Sequence, residues 1–155
     1  MTTRMKVAGG CYAAALLGTL AFGITYLLRA EFMPYHAQAL AMRWAEVPAP
    51  FRVLILGLMK AAGAAWLALS LALAVLLAIP FRQGARWSKW TIAAAGLVNS
   101  VGALYATLQV QLNTPAQAPW KAAAAIALLN LIGLFLSLDY STASGPKVSP
   151  RAAGA

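Results

Sequence analysis

Four apolar runs, each about as long as a bilayer is thick, occupy residues 7–28, 61–79, 91–109 and 121–138 of this 155-residue chain. A helix resting on a water-soluble core shows one apolar stripe. These runs are apolar nearly all round, so the solvent that suits them is lipid. With their flanks they predict spans at about 7–28, 53–79, 90–110 and 120–138, within a single transmembrane domain over residues 1–140. The expected fold is all-α: a polytopic membrane protein built as an up-down four-transmembrane-helix bundle, with a short outer interfacial helix after the first span. Residues 141–155, rich in Ser, Ala, Gly and Pro, read as a disordered cytoplasmic tail.

Charge fixes the expected orientation. The net charge is +9, yet charged residues make up only 10% of the chain and sit at the ends of the apolar runs. A nucleic-acid binder would gather its cations on one face, so nucleic acid is not an expected partner. Arg4, Lys6, Arg82, Arg86, Lys89, Lys147 and Arg151 fall on one side of the four spans, while Arg29, Arg43, Arg52 and Lys121 fall on the other. The excess marks the first side, and with it both termini, as cytoplasmic. Heavy use of Ala, Gly, Leu and Arg reads as bacterial, which places the chain in a bacterial cytoplasmic (inner) membrane as a multi-pass protein.

Several activities are excluded by what the chain lacks. The first run is too long for the core of a signal peptide, and Tyr26-Leu27-Leu28-Arg29 offers no small-residue cleavage site. Ala8-Gly9-Gly10-Cys11 faintly resembles a lipobox but has no apolar core before it, which leaves Cys11 as a small residue of the first span. One cysteine makes neither an intrachain disulfide nor a C-x-x-C pair, so a thiol oxidoreductase is ruled out. His36 is the only histidine and has no ligand partners at metal spacing, so no metal and no cofactor is expected. No Ser-His-Asp set can be assembled, because the only aspartate, Asp139, belongs to the cytoplasmic side.

Polar residues inside the spans supply the candidate core. Asn99 and Asn130 fall near the midplane at one height, about 13 Å from the inner edge, and Ser70 lies at comparable depth. A lone amide in hydrocarbon costs several kcal/mol, so the simplest partner for each asparagine is the other. Small residues flank both: Ala95, Gly102, Ala103 and Ala106 around Asn99, and Ala123, Ala127, Gly133 and Ser137 around Asn130. The first span carries a similar strip of Gly10, Ala14, Gly18 and Ala21, the kind of surface on which membrane helices approach closely. These residues read as interhelical glue, or else as a polar substrate path. No acidic residue lies in any span core, which argues against a carrier coupled to an intramembrane carboxylate.

Nearer the outer boundary a ligand pocket is expected around Lys60, about 15 Å from the midplane. Tyr26, Tyr105 and Gln109 lie at similar depth, with Glu31, Tyr35 and His36 at the lip. Pro34 suits the start of a helix. Ala37, Leu40, Ala41 and Trp44 recur at helical spacing before Pro48 and Pro50, which predicts an amphipathic helix over residues 35–46 roofing that pocket. Lys60 itself admits two readings: a side chain aimed into the bundle beside Gly63 and Ala64, or an ammonium that snorkels to the interface.

The outer segment Glu31-Phe32-Met33-Pro34-Tyr35-His36, followed by Ala39-Leu40 and Trp44, resembles a stretch of small bacterial four-span membrane proteins without an assigned activity. Leu58-Met59-Lys60, Pro80-Phe81-Arg82, Arg86-Trp87 and Tyr105-Ala106-Thr107 fit the same pattern, which covers residues 10–138. The likeness extends to DoxX-like proteins in architecture only. It implies a four-helix fold and no activity. Small multidrug transporters are dissimilar, since they carry a glutamate in the first span and this chain has none.

The functional expectation is therefore a membrane protein, more readily a binder than an enzyme, holding a lipid-like or anionic amphipathic ligand in an outward pocket. Membrane lipids are the expected partners. The alternatives are a structural subunit of a larger membrane complex, an oligomeric small-molecule transporter, and a lipid-modifying enzyme using Lys60, Glu31 or His36 as acid or base.

Overall fold

The structure, a computed structural model, describes residues 2–138. The tail expected over 141–155, and Asp139, lie outside the described residues. Those residues form helices and loops only. Four helices are long and apolar enough to cross a membrane: α1 (Thr3–Leu28), α3 (Ala49–Leu76, continued by a π-helical turn over Leu77–Phe81), α4 (Arg86–Asn113) and α5 (Trp120–Leu138). A short helix, α2 (Pro34–Leu40), follows α1.

The sequence explains where these elements begin and bend. Thr2 caps α1 by accepting from the Met5 N–H at 3.3 Å. Pro34 opens α2, and Pro50 sits in the first turn of α3, where a missing N–H leaves nothing unpaired. Pro48 and Pro50 thus start the second long helix well before its apolar run. Pro80 has no N–H for the helical ladder, and the chain widens into the π-helical turn around it before Gly84, at φ 79°, reverses direction.

The amphipathic helix expected over 35–46 is shorter than its periodicity implied. α2 ends at Leu40, Ala41 takes a left-handed conformation at φ 50°, and a separate 3-10 turn covers Trp44–Glu46. A continuous helix would carry Trp44 about 13 Å along its axis from Tyr35. The break instead folds the Trp44 ring onto Phe32, with centroids 4.9 Å apart, in a cluster with Val47 and Met59.

α1 is the hub, packed against α3 and α5, while α4 packs chiefly on α5. Neighbours run antiparallel: Tyr12 meets Phe81 while Phe22 meets Trp66, and Gly133 underlies Tyr12 while Gly18 meets Ile126. The α1–α3 crossing is backbone on backbone. A Cβ at Gly63 would stand 2.7 Å from the Leu27 nitrogen and 2.9 Å from the Gly23 oxygen. The small-residue strip expected on α5 is buried, with Ala123, Ala127, Asn130, Gly133 and Ser137 inside. That of α1 is not: Gly10, Ala14 and Ala21 are exposed, and the buried face is Met5, Ala8, Tyr12, Ala15, Thr19 and Gly23. Tyr12 turns inward because lipid offers its hydroxyl no partner, and it donates to the Lys89 carbonyl instead.

Candidate functional site: a hydroxyl-lined cavity beneath the short helix

In the half of the bundle nearer α2 the four long helices do not close completely. They enclose a cavity of about 40 Å³, lined by Thr19, Phe22 and Tyr26 of α1, Trp66 of α3, Asn99, Ser100, Ala103 and Thr107 of α4, and Pro119, Ala123 and Ile126 at the start of α5. That volume exceeds the minimum for one water, roughly 10–15 Å³ on the same measure.

Its hydroxyls are already engaged as donors. Thr19 donates to the Ala15 carbonyl at 3.1 Å, Ser100 to Gly96 at 2.8 Å, and Thr107 to Ala103 at 2.8 Å. Each bonds within its own helix, which leaves the oxygen lone pairs as acceptors. Asn99 is different. Its half-buried amide makes no hydrogen bond to any described residue, so two donors and an acceptor remain open at the cavity wall.

Through Tyr26 and Pro119 the cavity wall adjoins α2 and the α4–α5 loop, two segments termed the lid. The Tyr26 and Tyr35 hydroxyls meet in a short hydrogen bond, and the Tyr26 ring stands edge-on to Trp66 at 4.9 Å. Tyr35 is buried against Ala116 and Ala118 of the loop. Gln38 Oε1 accepts from the Gln117 N–H at 2.9 Å, which fastens α2 to that loop. The His36 ring lies 4.2 Å from Tyr35 and 6.5 Å from Tyr26. Burial disfavours both charged forms, pushing the Tyr35 hydroxyl above its usual pKa and His36 below its own.

The residues expected to form the pocket separate into two groups. Tyr26 lines the cavity and His36 adjoins its lid, while Asn99 forms part of the wall. Lys60 is exposed, and its Nζ donates to the Leu27 carbonyl at 3.2 Å across the α1–α3 crossing. Glu31 is exposed beside Arg29, 4.0 Å away. Tyr105 and Gln109 face outward, with Asn113 donating to the Gln109 side chain at 3.1 Å.

Of the deeper polar residues, Asn130 is buried, and its Nδ2 donates to the Ile126 carbonyl at 3.0 Å. Its amide lies over Gly96, where a Cβ would overlap Oδ1, so the two asparagines are not bonded to each other. Ser70 is buried, and its hydroxyl has no hydrogen-bond partner among the described residues.

Sequence reasoning missed Lys89, read there only as a topology charge. It is 6% exposed, its Nζ donates to the Ser137 carbonyl at 3.2 Å, and its own carbonyl accepts from Tyr12 Oη at 3.4 Å. The ammonium thereby satisfies a last-turn carbonyl of α5, where the helix dipole also favours a cation. The signal was present: Lys89, Ile92, Ala93, Gly96 and Ser100 recur at helical spacing on the buried face of α4.

The four helices mark the chain as a multi-pass membrane protein. No known protein family, curated protein or solved structure matches it, so its function is read from the site alone.

Proposed function

We propose that this chain binds an amphipathic, lipid-like ligand whose small uncharged polar head enters the cavity at Asn99. In this reading the four spans cross a bacterial inner membrane in alternating directions, with both termini cytoplasmic, and α2 lies in the outer interface as the cavity's lid. The observation that carries it is the Asn99 amide, unbonded among the described residues, beside three hydroxyls that retain only acceptor capacity. A carbonyl or hydroxyl head matches that set. No cation lines the cavity, and the nitrogen of Lys60 is held at the Leu27 carbonyl, so a neutral head is favoured over an anionic one.

Native mass spectrometry of the gently solubilised protein tests this. Wild type should retain a co-purified neutral lipid that Asn99→Leu loses, while Lys60→Ala keeps it. Equal retention by wild type and Asn99→Leu would discard the cavity as a binding site. For orientation, in a Cys11→Ala background, a cysteine at Gln38 should react with an impermeant thiol reagent in intact cells and one at Gln83 should not. The reverse result would put the cavity on the cytoplasmic side.

A second reading, docking against partner helices, draws on the exposed Gly10, Ala14 and Ala21 of α1. An oligomer or complex disrupted by Gly10→Leu would favour it.

A further inference from the structure

A second concave feature lies outside the bundle, at the end opposite the lid. Between α1 and the last turns of α3, a groove of about 480 Å³ is bounded by Gly9, Ala13, Leu17, Ala74 and Ala78. That is within the range of roughly 300–1,000 Å³ typical of sites for small molecules. Phe81, itself buried, forms part of its wall at the basic end. Lys6 and Arg82 also border the groove there; both are exposed, and neither side chain makes an ion pair or hydrogen bond to any described residue.

We infer that this groove is a docking site for one anionic phospholipid, with an acyl chain along the apolar trough and the phosphate between Lys6 and Arg82. The argument is complementarity at both ends of the ligand. The trough is apolar along a surface that four membrane-spanning helices place in lipid, and both of its bordering cations lie at one end. Lysine binds phosphate as a point charge, and arginine offers the fork that takes two phosphate oxygens. Arg86 falls at the same end of the helices and adds to the attraction for a negative headgroup. A second copy of this chain fits less well. Docking about a two-fold axis along the membrane normal would bring the same two cations of each copy to one depth.

The test is lipid titration of the purified full chain in detergent, read by native mass spectrometry. It compares phosphatidylglycerol with phosphatidylcholine of the same acyl chains. Wild type should prefer the anionic lipid by roughly tenfold or more, as expected for two basic residues near a headgroup. The Lys6→Ala/Arg82→Ala variant should lose that preference, and the Lys6→Arg/Arg82→Lys exchange should keep it. Ala78→Phe, which fills the trough, should weaken retention of both lipids. Circular dichroism should show unchanged helix content in all of them, so that loss of binding is not loss of fold. Equal retention of the two lipids by wild type would overturn the assignment, as would a preference that survives the double alanine variant. A wild-type dimer that Ala78→Phe splits would give the groove to a second copy instead. Asn99→Leu should leave the preference intact, so this site and the cavity can fail separately.

Discussion

The two ends of the bundle use the same chemical materials and arrive at opposite results. At the basic end, Tyr12, Lys89 and Ser137 bond across three helices, Phe81 stands edge-on to Tyr12 at 5.6 Å, and the interior space among Phe81, Lys89 and Ser137 is only about 10 Å³. At the α2 end, Thr19, Ser100 and Thr107 bond back to their own helices, Asn99 bonds to no described residue, and the cavity is about four times larger. A hydroxyl that bonds between helices draws them together; one satisfied within its helix does not. The contrast between the two lysines is similar. Lys89 is buried and links α4 to α5, whereas Lys60 stays exposed while bonding across α1 and α3.

The largest effect expected is at the crossing that holds α1 to α3 near the α2 end, at Gly23 and Gly63. Gly63→Ala would press a methyl group into the backbone of Leu27 and should cost about 2 kcal/mol or more in a detergent melt. Gly10→Ala, with nothing within 4 Å, should be nearly silent. Equal effects would mean that the helices do not cross at Gly63.

Next come the lysines. Lys89→Met removes a buried charge-assisted bond and should cost about 1–2 kcal/mol. Lys60→Met should stay within about 0.5 kcal/mol, as exposed sites do. A larger loss at Lys60 would erase the distinction between the sealed and the open end.

The smallest effect is pH dependence at the lid. Burial lowers the pKa of His36 below its ordinary 6.5, so the fold prefers the neutral ring. The unfolded chain binds the proton more readily. The stability that comes from this site is therefore fully present above pH 6.5 and falls as pH drops from there through the lowered folded-state value. Melts at pH 5 and pH 7.5 should differ more for wild type than for His36→Gln. No difference between the two proteins would detach His36 from the lid.

How much of this was legible varies by element. Lipid as solvent, the four long helices and the helix start at Pro34 could be read from hydropathy and proline placement. Tyr26, expected near the place where α1 gives way to α2, lines the cavity, and the His36 ring stands beside it. Lys60, Glu31, Tyr105 and Gln109 share that depth but not that side of the bundle, and depth alone does not say which way a residue faces. Asn99 and Asn130 share a height, yet Asn130 finds its acceptor one turn back on its own helix. The break at Ala41 was hidden because helical periodicity over 37–44 says nothing about a ring contact between Trp44 and Phe32.

The sequence by itself determined the solvent, the number of long helices and the ends at which charge gathers, because these follow from hydropathy and length along one dimension. Which face of each helix turns inward was decided only in three dimensions. In water, an apolar stripe must be buried and so announces the core. In lipid, an apolar side chain is equally well placed on either face. The inward face is then chosen by close backbone approach, as at Gly63, and by polar groups that need partners, as at Tyr12 and Lys89. Those are few and stand on several faces of each helix. Only the packed bundle shows which were used, and that the cavity opened where Asn99 has no partner among the described residues.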